Sequence, residues 1–88
     1  MKLIIAIIRD NDNDPVSHAL TSASYRVTCI ASTGGFLRKG MSTLLIGVDD
    51  DQVQHALEIV KSACGPVTEP DQKRGTIFVL NVDQYQQF

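Results

Sequence analysis

The sequence of 88 residues lacks tryptophan altogether and carries only three Phe and two Tyr, so any core must be built from Ile, Val, Leu and Ala. It also lacks a surplus of positive charge: Lys+Arg is 8 and Asp+Glu is 10, a net charge of −2. That excludes a general DNA or RNA binder, which needs a dense basic face to displace counterions from phosphates. Cysteine is scarce. Cys29 and Cys64 stand inside apolar segments with no C-x-x-C pairing, and read as small core hydrophobes in a reducing compartment. The apolar run at 3–8 is followed by Arg9 and Asp10, and is too short for a secretory signal or a membrane span. A cytoplasmic protein with neither nucleic acid nor membrane as partner is expected.

What is present fits one domain over residues 1–88. At 9.6 kDa, surface scaling leaves only roughly 63% of the unfolded chain's area buried, a margin that small chains often widen with a partner subunit or a ligand. The Ile-rich run at 3–8 suits a strand covered on both faces. Asp14 and Pro15 then read as the cap and first position of a helix whose stripe is Val16, Ala19, Leu20 and Ala23. Strands are expected at 26–32 and 42–48, joined by a long loop. Asp49, Asp50 and Asp51 supply an N-terminal cap, with Gln52 or Gln54 placed for a capping box. The second helix presents Val53, Ala56, Leu57, Val60 and Ala63 and stops at Gly65-Pro66. A polar linker at 65–75 precedes a strand at 76–82, and the tail 83–88 could add an edge strand or cross onto a neighbour.

The order β-α-β-β-α-β predicts an α+β, ferredoxin-like sandwich: a four-stranded antiparallel sheet with both helices on one face. The first strand is apolar at every position, so the other face must be hidden too. On a chain this small, another copy of itself is the natural cover.

Residues 32–40, Ser-Thr-Gly-Gly-Phe-Leu-Arg-Lys-Gly, could cradle phosphate oxygens on backbone N–H groups, with Phe36 as a stacking face for a base; the plain alternative is a charged hairpin tip. A Walker A loop is excluded, since Met41 stands where its lysine must be and strands flank the segment on both sides. Asp10, Asp12 and Asp14 imitate the start of an EF-hand, but Pro15 and Thr21 occupy the positions of its glycine and closing glutamate. A solvated strand-to-helix turn is expected there instead. His18 and His55 read as exposed helix residues without metal-ligand spacing, and no nucleophile is paired with a base, so an enzyme is not expected. Arg26 is either an edge-strand charge or a phosphate clamp.

Arg26-Val27-Thr28, the stretch 31–37 with its Thr-Gly-Gly-Phe-Leu core, Gly40 and Ile46-Gly47-Val48-Asp49 together resemble the PII-like cyclic di-AMP receptor family of Firmicutes. Met1-Lys2-Leu3-Ile4, Phe78-Val79-Leu80 and the closing Gln87-Phe88 fit it as well. The resemblance implies a non-enzymatic signalling protein, a homotrimer holding a cyclic dinucleotide or another adenine nucleotide between subunits, with no cofactor and with a downstream protein partner it does not name. It implicates Arg26, Thr28, Gly35, Phe36, Leu37, Gly47, Phe78 and Gln87 in ligand binding. Phe36 and Leu37 would cover an adenine; Thr28, the Gly47 backbone and Gln87 would supply hydrogen bonds; Arg26 would meet phosphate, and Phe78 would pack on the second base from a neighbouring subunit. Three positions depart from the family: Met41 and Ser24 replace asparagines, and the loop at 65–75 is short. Met41 and the short loop favour an alternative, a divergent PII-like interaction module that has lost the nucleotide.

Overall fold

The computed structural model describes residues 1–32 and 40–88. Its elements are β1 (Lys2–Arg9), α1 (Asp10–Ser22), β2 (Val27–Ser32), β3 (Met41–Val48), a 3₁₀ turn (Asp50–Gln52), α2 (Val53–Ala63) and β4 (Gly75–Asn81). The strands form one sheet in the order β2-β3-β1-β4, and each neighbouring pair is antiparallel. This is the α+β arrangement of a ferredoxin-like fold.

The alternation of a strand's side chains sorts the apolar residues into two sets. Ile4, Ala6 and Ile8 of β1 and Leu44, Ile46 and Val48 of β3 are buried, as are Val16 and Leu20 of α1 and Ala56 and Val60 of α2; together they form the core. Leu3, Ile5 and Ile7 point the other way, only half-buried. The register aligns Thr28, Leu45, Ile5 and Phe78 in one row across that open face, with Leu3 and Leu80 paired in the next. Phe78 is 51% and Leu80 46% exposed, so the apolar far face inferred from the first strand is present.

Four local expectations need correcting. α1 begins at Asp10, with Arg9 at its cap and Pro15 inside the helix. The turn read as solvated is in fact a buried polar one: Asp10 is 4% and Asp12 5% exposed. Asp10 accepts a hydrogen bond from the Ser42 hydroxyl, and its backbone N–H donates to Gly40 O at 3.0 Å. These tertiary partners hold the first turn and offset the backbone bond that Pro15 cannot donate. At α2, Asp49 makes no side-chain cap bond and no capping box forms; the Gln52 side chain is engaged elsewhere. Of the two cysteines read as core residues, Cys29 is exposed, whereas Cys64 is half-buried and packs against the core. Cys29 points to the helix side beside Leu44, but on an edge strand, where Asn13 of α1 reaches its thiol.

Candidate functional site

The C-terminus of α1 sets the geometry of the site. Ser24 N–H donates to Thr21 O at 2.9 Å and Tyr25 N–H to Leu20 O at 3.0 Å, the paired bonds of a Schellman motif. Ser24 therefore occupies the position usually given to glycine, with φ of 71°. The reversal leads the chain through Tyr25 and Arg26 into β2.

Those residues border a cavity of about 720 Å³ at the Met1 and Val48 end of the sheet. Arg26, Thr28, Gly47 and Gln87 all line it. Four of the eight residues implicated by sequence thus share one concave site, contributed by the approach to β2, by β2 itself, by β3 and by the tail. The tail beyond β4 has no regular secondary structure. It begins with Val82 N–H on Met1 O at 3.2 Å, then brings Tyr85 and Gln87 to the cavity. Gly47 keeps the floor low: a Cβ there would come within 3.0 Å of the end of the Met1 side chain.

Phe78 does not line the cavity. Its place in the row Thr28-Leu45-Ile5-Phe78 puts it three strand spacings from Thr28, roughly 14 Å. Gly35, Phe36 and Leu37 lie outside the described residues. Met41 pairs with Arg9 and Gly47 with Leu3, so the two are six residues apart on one strand, roughly 20 Å. The Met41 departure is therefore remote from this cavity, whereas Ser24 lies on its wall.

A second wall was not legible in the sequence. The Tyr25 hydroxyl donates to Gln52 Oε1 at 2.8 Å and lies 2.8 Å from His55 Nδ1, the two rings tilted by 54° with centroids 5.8 Å apart. All three residues line the cavity. His55 is exposed, as expected of it, but it is not idle. A Tyr next to Arg26 could have raised suspicion; nothing in the spacing ties it to 52 and 55. Close by, the Met1 ammonium sits 2.9 Å from Asp50, and its hydrogen bond and charge hold that carboxyl below its usual range.

The opposite end of the sheet carries a second polar cluster. Arg9 Nε donates to Asp12 Oδ2 at 2.8 Å, Nη1 to Pro66 O at 3.0 Å and Nη2 to Gly65 O at 2.6 Å. Asp12 Oδ1 in turn accepts from Gly65 N–H at 3.0 Å. Burial, then the Asp12 charge, push the neighbouring Cys64 thiol above its ordinary range. Every group here is spent on protein partners, which suits a structural clasp. Among the described residues, no helix is long and apolar enough to cross a membrane.

Known proteins share the sequence and fold of this chain. A solved structure, titled as a functionally unknown protein from Pediococcus pentosaceus ATCC 25745, shares 35% identity over 99% of this chain and 96% of that chain, with a TM-score of 0.81. The profile of the cyclic-di-AMP receptor family matches residues 1–70, from β1 through α2 and into the following loop, a span that includes Arg26, Thr28 and Gly47; the chain belongs to the cyclic-di-AMP receptor family.

Proposed function

We propose that this chain is a non-enzymatic signalling protein that binds cyclic di-AMP, or a related adenine nucleotide, in clefts between the subunits of a homotrimer. The observation that carries the reading is the convergence of Arg26, Thr28, Gly47 and Gln87 on one cavity. A guanidinium fork suits a phosphate, a hydroxyl and a carboxamide suit ribose and base edges, and an exposed backbone at Gly47 allows close approach. Family membership supplies the ligand class.

The subunit arrangement follows from the two parts of the site that one chain does not bring together. Phe78 is on the far edge of the open face, and a second copy packed on that apolar face would carry its own Phe78 toward this cavity. Leu3, Ile5, Ile7, Leu45 and Leu80 give such a contact its hydrophobic area. The competing reading, an interaction module without a nucleotide, would be favoured by an apolar cleft with no donors near Thr28 and Gly47; the donors around the cavity weigh against it.

Isothermal titration with cyclic di-AMP is the direct test. Saturable binding is expected, and Arg26→Ala should weaken it by about 1.5–3 kcal/mol, the usual value of a hydrogen bond to a charged group. A well-folded oligomer giving no heat at high micromolar concentration would return the module reading to first place.

A further inference from the structure

Tyr25, Gln52 and His55 belong to the cavity but to none of the roles assigned above. The tyrosine hydroxyl has one hydrogen, and at 2.8 Å it gives it to Gln52 Oε1. The 2.8 Å contact with His55 Nδ1 must then be made by a hydrogen on Nδ1, donated to the phenolic oxygen. This pins the imidazole tautomer. In the neutral ring, Nε2 is left as a bare lone pair, and only protonation turns it into a donor.

The charges around the cavity give that constraint a consequence. Among the described lining residues, Arg26 is the one permanently cationic side chain and Asp49 the one carboxylate; the ammonium of Met1, which also borders the cavity, is paired with Asp50 at 2.9 Å. A cyclic dinucleotide carries two phosphodiester charges, so among the described lining residues the guanidinium can serve only one of them. On the nucleotide reading proposed above, we infer that His55 is the second phosphate contact and that its pinned tautomer makes ligand binding take up a proton. The titratable and charged groups that line the cavity with His55 are the Tyr25 and Tyr85 phenols, Arg26, Asp49 and the Met1 ammonium. His55 also borders a groove with Glu58 of α2, where Ala19 and Ser22 of α1 and the following Ala23 bring no further charge. A phosphate at Nε2 adds negative charge where the neutral ring offers only repulsion, and the imidazolium is the form that can hold it.

Titration calorimetry with cyclic di-AMP, in PIPES and in Tris at each pH between 6 and 8, reads the proton directly, because the two buffers release it with different heats. The apparent enthalpy should differ between buffers, and affinity should rise as pH falls, by at most about tenfold per unit for one proton. His55→Gln should abolish both effects while its thermal midpoint stays near that of the parent. Tyr25→Phe keeps the ring but frees Nδ1, so that neutral His55 can present an Nε2 hydrogen; binding should persist with less proton uptake, an outcome that a packing role for Tyr25 would not produce. Adenosine, which has the base and ribose without the phosphate, should bind with no buffer dependence. Binding of cyclic di-AMP with equal heats in both buffers and a flat pH profile would overturn this inference and leave the nucleotide reading standing. Absence of binding at every pH would remove both.

Discussion

Ser24 concentrates the strain of the site in one residue. A side chain at φ of 71° costs roughly 1–2 kcal/mol for most residues, and less for Asn, whose short polar group suits the left-handed region. The asparagine that the resemblance implies at this position would bear that geometry at less cost, so its replacement by serine should be felt in stability first. Ser24→Gly, which also loosens the unfolded chain, should raise stability by about 0.5–1 kcal/mol. Urea unfolding at matched protein concentration measures it; a loss of stability would mean that Ser24 makes a compensating contact. Cys64 offers a second check at this scale. With Cys29 replaced by serine, alkylation of the remaining thiol should be slow near pH 8 and its pH profile displaced above that of a free thiol, near about 8.5, because burial and the Asp12 carboxylate both disfavour the thiolate. A profile at or below the free value would show that neither acts on it.

At the scale of elements, Arg9 joins three of them with one planar group. Its fork spans the Asp12 carboxylate of α1 and the carbonyls of Gly65 and Pro66 beyond the end of α2, where a cation also meets the negative end of the helix dipole. Lysine cannot reproduce that fork. Arg9→Lys should cost about 1–3 kcal/mol, and Arg9→Met more, since it leaves Asp12, 8% exposed in its side chain, without its counter-charge; equal stabilities in urea would reduce the clasp to decoration. The start of β4 is similarly constrained, because a Cβ at Gly75 would lie 2.6 Å from the backbone oxygen of Ile7. The strands, the helix stripes and the stop at Gly65-Pro66 were readable because periodicity and turn chemistry are local signals. The start of α1 was not, since Asp10 and Asp12 look like solvent-facing turn residues until Ser42, Arg9 and Gly65 supply partners from elsewhere in the chain. Nor was its end, because the Schellman turn there is made without glycine. Four of the eight implicated residues line one cavity, while the Tyr25-Gln52-His55 wall depends on two elements meeting in space and leaves no pattern in the sequence.

For the whole molecule, the decisive relation is between Arg26 and Phe78. They belong to opposite edges of one sheet, Arg26 leading into β2 and Phe78 in the middle of β4, so on the reading proposed above a site that uses both takes them from different copies. In a ring closed by head-to-tail contacts, each cleft would combine the β2 edge of one subunit with the β4 edge of the next. Arg26→Ala and Phe78→Ala chains should each bind cyclic di-AMP poorly when pure, Phe78→Ala by about 1–3 kcal/mol if it stacks on a base. Unfolded together in equal amounts and refolded, they should recover binding, because a ring holding both kinds of chain has one cleft in which an intact Arg26 meets an intact Phe78. Random assembly of trimers restores about a quarter of all clefts to full affinity. Titration would show that fraction as tight sites above a weak background, and sedimentation would show whether the particles that carry them are trimers. No recovery in mixed particles of the right mass would place the whole site within a single chain, and the apolar face bearing Ile5, Leu45 and Phe78 would then serve assembly alone.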